Sequence, residues 1–477
     1  MKVTRAINSP IDIQLADIPV SPFINNYSLS FDGIDDIVRL GTPSTVGTGG
    51  INTLSFWVKA NAQSTAGITD YLFSDDGGSG YNWWRFFHGH GTNLYWRNIN
   101  GVAFNLAPNL FDGNWHNVVV IRNPSDLVNG SLRIYVDNGT PLDRTLDWRY
   151  GVAGLYNGAL GTIGNNNTAS SGFNGIIDEV SVWNSEITSS DVASIYNSGT
   201  PTDLSLLPTP PLNWYRNGDN GVYKSPQWLI PNNENKDKVS NYSFEFDGID
   251  DRVQLSSDFV ASGEFTLSFW MKPVAVTGNG NIFPIGTFPD NQNHVRLDQI
   301  GVIYLKVQAV LCLFNEGVVG GGANNLVLDV WQHMTFIRDS SNVITCYRNG
   351  STFGGTATNS GTLTLNSFGR VIANTFGFGG GLDGIAFWNS DQTSNLATIY
   401  NSGTPTTLPS GAVAHYKMGE DATFSGGVWT VPDSVGSNDG TSVNMTIEDR
   451  VGNAPNSTSN AVSLNMDEVD RATDVPT

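Results

Sequence analysis

The chain is poor in charge, in cysteine, in helix signals and in long apolar runs. Asp, Glu, Lys and Arg make up 14% of its 477 residues, and what charge there is leans one way: 24 basic against 44 acidic residues give a net charge of −20. A surface this acidic repels phosphate backbones and anionic lipid, which argues against nucleic-acid or membrane-surface partners. Two cysteines, Cys312 and Cys346, are too few for a disulfide scaffold and leave the compartment open. They sit in strand-like runs at 310–314 and 343–347 and pair only if those strands are neighbours; two buried thiols is the simpler expectation. No run reaches the roughly 18 apolar residues of a membrane span. Residues 1–22 carry no apolar stretch of signal-peptide length. Export by another route, or release as part of a virus particle, is the matching expectation.

What is present is glycine (53 residues), a 39% hydrophobic fraction and many short β-rich runs. Leu54, Phe56 and Val58 alternate with Ser55, Trp57 and Lys59, and Leu132, Ile134 and Val136 alternate with Arg133, Tyr135 and Asp137. That period of two is what half-buried strands require. Asp32-Gly33, Asp112-Gly113, Asn138-Gly139, Asn174-Gly175 and Asn349-Gly350 mark tight turns. One helix is expected at 187–197 (ITSSDVASIYN), with a Ser or Thr cap ahead of Asp191 and a stop at Gly199; its counterpart lies at 391–401. One short helix among about a dozen strands per unit reads as an all-β sandwich.

The chain also repeats itself in order. YSLSFDGIDDIV at 27–38 returns as YSFEFDGIDDRV at 242–253, and TLSFWVK at 53–59 as TLSFWMK at 266–272. WHNVVVIR at 115–122 returns as WQHMTFIR at 331–338, and IYNSGTP at 195–201 recurs unchanged at 399–405. Both tails match as well: LNWYRNGD at 212–219 with VAHYKMGE at 413–420, and Trp228 before Pro231 with Trp429 before Pro432. Residues 461–471 (AVSLNMDEVDR) read as a worn third copy of the opening strand and turn, an edge strand or docking tail, with 473–477 expected to be loose. The division expected is an N-terminal arm at 1–24, a first unit at 25–205, a linker with extra strands at 206–239, a second unit at 240–408 and a C-terminal extension at 409–477.

The ordered set FDGIDD, LSFWVK, a strand opening on Trp, an Asn-Gly hairpin and GIIDEVSVWN with its short helix resembles the laminin-G-like, concanavalin A-like lectin/glucanase jelly-roll superfamily. The resemblance covers both repeats and implies two tandem jelly-roll β-sandwiches behind an extended arm. It is far less specific for function, since this fold hosts lectins, adhesins and hydrolases. The tail pattern, YKMGE followed by VPDSVGSNDGT and NMDEVDR, is similar to structural proteins of marine tailed phages, over about 60 residues.

A retaining glycosidase needs two carboxylates about 5 Å apart, and relatives place them on one strand as Glu-x-Asp-x-x-Glu. No such string occurs. Asp178 and Glu179 are adjacent, so strand alternation turns them to opposite faces, and the Glu is Gly384 in the second repeat. There is no Gly-x-Ser-x-Gly elbow, and His88 and His90 lack a third zinc ligand. No catalytic residue is expected, and no enzyme. Asp32, Asp35 and Asp36, repeated as Asp247, Asp250 and Asp251, are the best metal candidates, hard oxygen donors in a Gly-containing turn that suits Ca²⁺; turn chemistry alone also explains them. Tyr81, Trp84, Trp96, Trp148 and Tyr150 are candidate sugar-stacking residues, confined to the first unit. Trp57/Trp270, Trp115/Trp331 and Trp183/Trp388 recur in both units and read as core.

The expectation is therefore a non-enzymatic attachment protein on a virion surface, as capsid decoration or fibre, binding surface glycans. The arm, with Ile11, Ile13 and Leu15 in alternation, would add a strand to another virion protein, and a homo-oligomer is open. The alternatives are a secreted bacterial carbohydrate-binding adhesin and, behind it, a polysaccharide hydrolase.

Overall fold

The computed structural model describes residues 23–44, 52–62, 70–74, 86–88, 91–97, 103–107, 109–123, 132–144, 160–166, 168–275, 281–289, 292–298, 302–314, 327–371, 377–457 and 459–477. The arm at 1–22 lies outside them. They form four antiparallel sheets, two per unit. In unit 1 an eight-stranded sheet runs Leu142–Arg144, Leu132–Val136, Trp115–Arg122, Asn52–Lys59, Asn174–Trp183, Ser28–Asp32, Arg471–Ala472, with Asn213–Tyr215 also paired to Asn174–Trp183. The facing nine-stranded sheet runs Val222–Lys224, Gln227–Ile230, Ala461–Leu464, Ile37–Ser44, Leu160–Ile163, Asp70–Ser74, Phe86–His88, Leu94–Arg97, Ala103–Ala107. Unit 2 has sheets of the same sizes, and the fold is all-β sandwich throughout.

Alternation produced these layers. Leu54, Phe56 and Val58 meet Phe73, Phe86 and Val120 between the sheets of unit 1. Leu267, Phe269 and Met271 do the same in unit 2. A smaller apolar layer lies on the other side of the eight-stranded sheet, where helix Ser189–Tyr196 presses Val192 and Ile195 onto Val119, Trp183 and Trp214. The helix starts at Thr188, whose hydroxyl accepts from the Asp191 N–H while Asp191 accepts from the Thr188 N–H, a reciprocal cap that satisfies two otherwise orphaned donors. The corresponding layer of unit 2 is thinner: Ala386, Trp388 and Ile399, with Leu408 and Ala412.

The tails are parts of the sandwiches. Residues 440–451 close unit 2, Gly440–Val443 beside Arg252–Ala261 and Arg450–Val451 beside Ser243–Asp247. Residues 461–472 close unit 1 the same way, Ala461–Leu464 beside Ile37–Ser44 and Arg471–Ala472 beside Ser28–Asp32. The segment beginning at Ala461 is thus a copy of the unit 2 closing segment, SVNMTIEDRV against SLNMDEVDRA, rather than of the opening strand. Unit 1 is discontinuous: the chain leaves it after Gln227–Ile230, builds unit 2 and returns.

The return is fixed by Asn460. Its Oδ1 accepts from the Asn232 N–H at 2.9 Å and from Asn235 Nδ2 at 3.0 Å, while its Nδ2 donates to the Asn241 carbonyl at 2.9 Å. Residues 473–477, expected to be loose, are tied down. Asp474 accepts from Lys59 Nζ at 2.6 Å and from Trp115 Nε1 at 2.7 Å. Trp331 makes the equivalent bond to Asn453 at 3.1 Å. Trp115 and Trp331 are therefore half-buried clamps for the tails, not core, whereas Trp57, Trp183, Trp270 and Trp388 are buried. Cys312 and Cys346 are both buried and free, on strands of different sheets.

Candidate functional site

The FDGIDD turns place three carboxylates together in each unit. Oxygens of Asp32, Asp35 and Asp36 lie within 4.8 Å of one another, as do those of Asp247, Asp250 and Asp251. Much of their capacity is spent on the turn itself. Asp36 accepts from the Asp32 N–H at 2.8 Å and Asp32 from the Ile34 N–H at 2.7 Å. Asp251 accepts from Asp247 N–H at 2.9 Å, and Asp247 from Ile249 N–H at 2.7 Å. The closing segments complete each turn, since Asn465 Nδ2 donates to the Asp35 carbonyl at 3.1 Å and Asn444 Nδ2 to the Asp250 carbonyl at 3.5 Å. They also bring a fourth carboxylate near, Asp470 in unit 1 and Asp449 in unit 2. Burial first, then these neighbours, pushes Asp36 and Asp251 up to about 7. Sequence reading missed Asp449 and Asp470 because they belong to the closing segment. An all-oxygen donor set with excess negative charge fits a hard cation such as Ca²⁺.

Of the aromatic candidates, Tyr81, Trp84, Trp148 and Tyr150 lie outside the described residues, and Trp96 is described only as backbone of strand Leu94–Arg97. The described aromatics on that sheet face were missed. Tyr71, Phe87 and Tyr95 sit in register on three consecutive strands, on the face opposite core residues Phe73, Phe86 and Leu94. Phe87 and Tyr95 stack at 5.4 Å with an interplanar angle of 13°, and Tyr71 lies 5.9 Å from Phe87. Tyr71 and Phe87 are buried and Tyr95 is partly exposed, with Asn93 Nδ2 3.4 Å from its hydroxyl. Alternation in FFH separates Phe87 from Phe86, whereas in DYLFS it would put Tyr71 on the face of Phe73, and the register shift between those two residues turns Tyr71 to the other side. His88 is buried against Phe111, its ring nitrogen on the Gly91 carbonyl at 3.0 Å; His90 lies outside the described residues.

A third cluster overturns a sequence expectation. Asp178 and Glu179 share a face because strand Asn174–Trp183 bulges between Asp178 and Ser181, with Glu179 at φ +49°. An extra residue cancels the alternation. Both are buried. Asp178 accepts from Asn25 Nδ2 at 3.0 Å, and Glu179 from Trp214 Nε1 at 2.5 Å and from Arg216 Nε at 2.9 Å. Arg216 also lies 3.5 Å from Asp219. Burial raises Asp178 well above the carboxylate range and Glu179 to about 7 despite the guanidinium. Arg216 is shared between Glu179 and Asp219 while Asp178 is held by Asn25, so the acids form a structural knot.

This geometry coincides with a family assignment. The profile described as the concanavalin A-like lectin/glucanases superfamily matches residues 32–193 and 247–395, more than half of the chain. The chain belongs to that superfamily. Comparison with curated proteins gives no match. Among solved structures, a native heptameric SAP-like pentraxin from Limulus polyphemus is 16% identical, covering 34% of this chain and 83% of its own, with a TM-score of 0.28. Domains LG4-5 of the mouse laminin alpha1 chain are 12% identical over 80% of this chain and 93% of their own, TM-score 0.24. The CBM40 of Ruminococcus gnavus IT-sialidase bound to alpha2,3 sialyllactose is 12% identical over 33% and 96%, TM-score 0.23. No helix among the described residues is long and apolar enough to cross a membrane. Of these clusters, Asp32, Asp35 and Asp247 are exposed at the turns and Tyr95 is partly exposed on the ladder.

Proposed function

We propose that the chain is a non-catalytic glycan-binding attachment protein whose sugar contacts lie on unit 1. The reading rests chiefly on Tyr95. It is partly exposed and held flat by its stack on buried Phe87, so a sugar face meets a ring whose orientation is already fixed. Superfamily membership supports it. Unit 2 has no equivalent ladder among its described residues: Arg296 over Tyr304 at 4.0 Å and Phe283 against His294 occupy the matching strands. Calcium belongs to the same proposal, with Asp32, Asp35 and Asp36, and Asp247, Asp250 and Asp251, as holders that shape the turn. The setting we favour is a virion surface, with residues 1–24 docking the protein to another virion component.

The test is a glycan array followed by calorimetry on the full chain, since 25–205 alone lacks the strands that close unit 1. Tyr95→Ala should weaken a glycan hit at least about tenfold, the loss of one stacking contact of about 1.5 kcal/mol. Undiminished binding in that variant, or no hit at all, removes the reading.

A further inference from the structure

Under the short helix of unit 2 lies a cleft larger than its counterpart in unit 1. It is lined by Trp270, His333, Asp383, Gly384, His415 and Glu420, among others, and its free volume is about 30 Å³. The equivalent space in unit 1, between Trp57, Glu179 and Leu204, is about 10 Å³. Strand register makes the correspondence residue by residue. Val180 pairs with Tyr215 as Ile385 pairs with Tyr416. Hence Glu179 corresponds to Gly384, Trp214 to His415, Arg216 to Lys417 and Asp219 to Glu420.

Unit 1 fills the space with its own guanidinium. Arg216 reaches Glu179 at 2.9 Å and Asp219 at 3.5 Å, donates to the Ile24 carbonyl, and lies 4.2 Å from the Phe23 ring centre. Unit 2 keeps two of the acids, Asp383 for Asp178 and Glu420 for Asp219, has Gly384 where Glu179 stands, and carries Lys417 at the sequence position of the arginine. Asp383, 1% exposed, accepts from Ser240 Oγ at 2.5 Å and from Gly384 N–H at 2.8 Å, the counterparts of Asp178's bonds. Glu420 Oε1 accepts from Asn241 N–H and, at 2.8 Å, from Tyr242 N–H, while its Oε2 is buried with no partner. Lys417 does not take the arginine's place: its ammonium is 3.2 Å from Asp421 at the rim. Arg450 feels the charge of Glu420, but its guanidinium lies over Trp429 and donates to the Ala422 carbonyl. The two imidazoles are neutral, pushed down by burial to about 3 at His333 and about 4 at His415.

We propose that this cleft binds the guanidinium group of an external molecule, an alkylguanidine that takes the position Arg216 holds in unit 1. A space of about 30 Å³ admits one planar headgroup or a pair of waters, and no sugar ring. Planar donors match the fixed carboxylates better than a compact ammonium does. The rim is reachable, since Val239 is 50% exposed and Thr406 is partly exposed. This site is independent of the glycan reading.

The experiment is calorimetry of the full chain with methylguanidinium, methylammonium and urea. One saturable site per chain is expected for methylguanidinium, at least about tenfold tighter than methylammonium, with no binding of the neutral isostere urea. Gly384→Glu with Lys417→Arg installs unit 1's occupant and should abolish binding; Glu179 already holds φ +49° where Gly384 has φ +52°. Glu420→Gln, which keeps shape, should weaken binding about tenfold and guards against misfolding of the double variant. Free L-arginine and an arginine-centred tripeptide, run in parallel, separate a small-molecule ligand from a partner's side chain. No saturable binding, equal binding of urea, or unchanged affinity in both variants overturns the proposal.

Discussion

The backbone N–H of Trp228 donates to the hydroxyl of Ser463 at 2.7 Å, across 235 residues of sequence. Trp429 makes the same bond to Ser442 at 2.8 Å, across only 13. One closing motif thus serves unit 2 locally and unit 1 over a long loop. Removing residues 461–477 takes buried Val462, Leu464 and Met466 from unit 1, each worth about 1.5–3 kcal/mol. The total, about 5 kcal/mol or more, rivals the stability of a domain. Calorimetry of the truncated chain should show the unit 1 transition lost or far lower, with that of unit 2 kept. A peptide of residues 453–477 added in trans should restore it. Loss of both transitions together would mean the units do not melt separately.

The cysteines give an independent readout of unit 2. Cys312 is 3% exposed and Cys346 0%, and burial raises both thiols. Both belong to the unit 2 core. Modification by a thiol reagent should be about a thousandfold slower than for free cysteine and follow unit 2 opening. The truncated chain should react as slowly as the full one. Fast labelling in native buffer would contradict the burial.

What the sequence showed and hid follows from how far each feature reaches. Strands and turns were legible because alternation and Asp-Gly pairs act over a few residues. The Asp178–Glu179 arrangement was not, because one bulge residue reverses the face of everything after it. Trp115 reads as core from its recurrence in both units, yet its indole meets Asp474, a partner 359 residues away. The closing copies were visible in Asn444-Met445 and Asn465-Met466, each followed by Asp-Arg, but their short spacing hid that the two serve different units. The cleft was half-visible: the repeats set Gly384 against Glu179 and Lys417 against Arg216, while the turning of the Lys417 ammonium to Asp421 is a matter of packing.

Arg216 tests the knot of unit 1. Arg216→Met should cost about 3–5 kcal/mol, since it leaves Glu179 and Asp219 buried without their cation. Adding Glu179→Gly reproduces unit 2's local arrangement and should recover a large part of that loss. Thermal melts of the two single variants and the double give the coupling. An additive cycle would show that Arg216 acts by packing on Phe23 and Trp214 rather than by charge.

Asp36 links stability, pH and calcium. Its folded pKa, pushed up to about 7 by burial, lies above the ordinary aspartate value of 3.8, with Asp32, Asp470 and Asp35 as the charges facing it. Between pH 4 and 7 the folded state therefore holds the proton that the unfolded state has released. This group's contribution to stability must fall as pH rises through that window and level off above 7. Asp36→Asn keeps an oxygen for the Asp32 N–H and removes the titration. Without metal, the variant should gain about 1 kcal/mol over the parent at pH 8, after allowance for solvent at the turn, and converge with it near pH 4. Calcium should reverse the ranking at pH 8, raising the melting temperature of the parent and not of the variant, because the ion replaces the proton as partner of the ionised carboxylate. At pH 5, where protons hold the site, calcium should do little to either. A calcium shift of equal size in both proteins at pH 8 would place the ion elsewhere; no shift in the parent would leave the FDGIDD aspartates as turn residues alone.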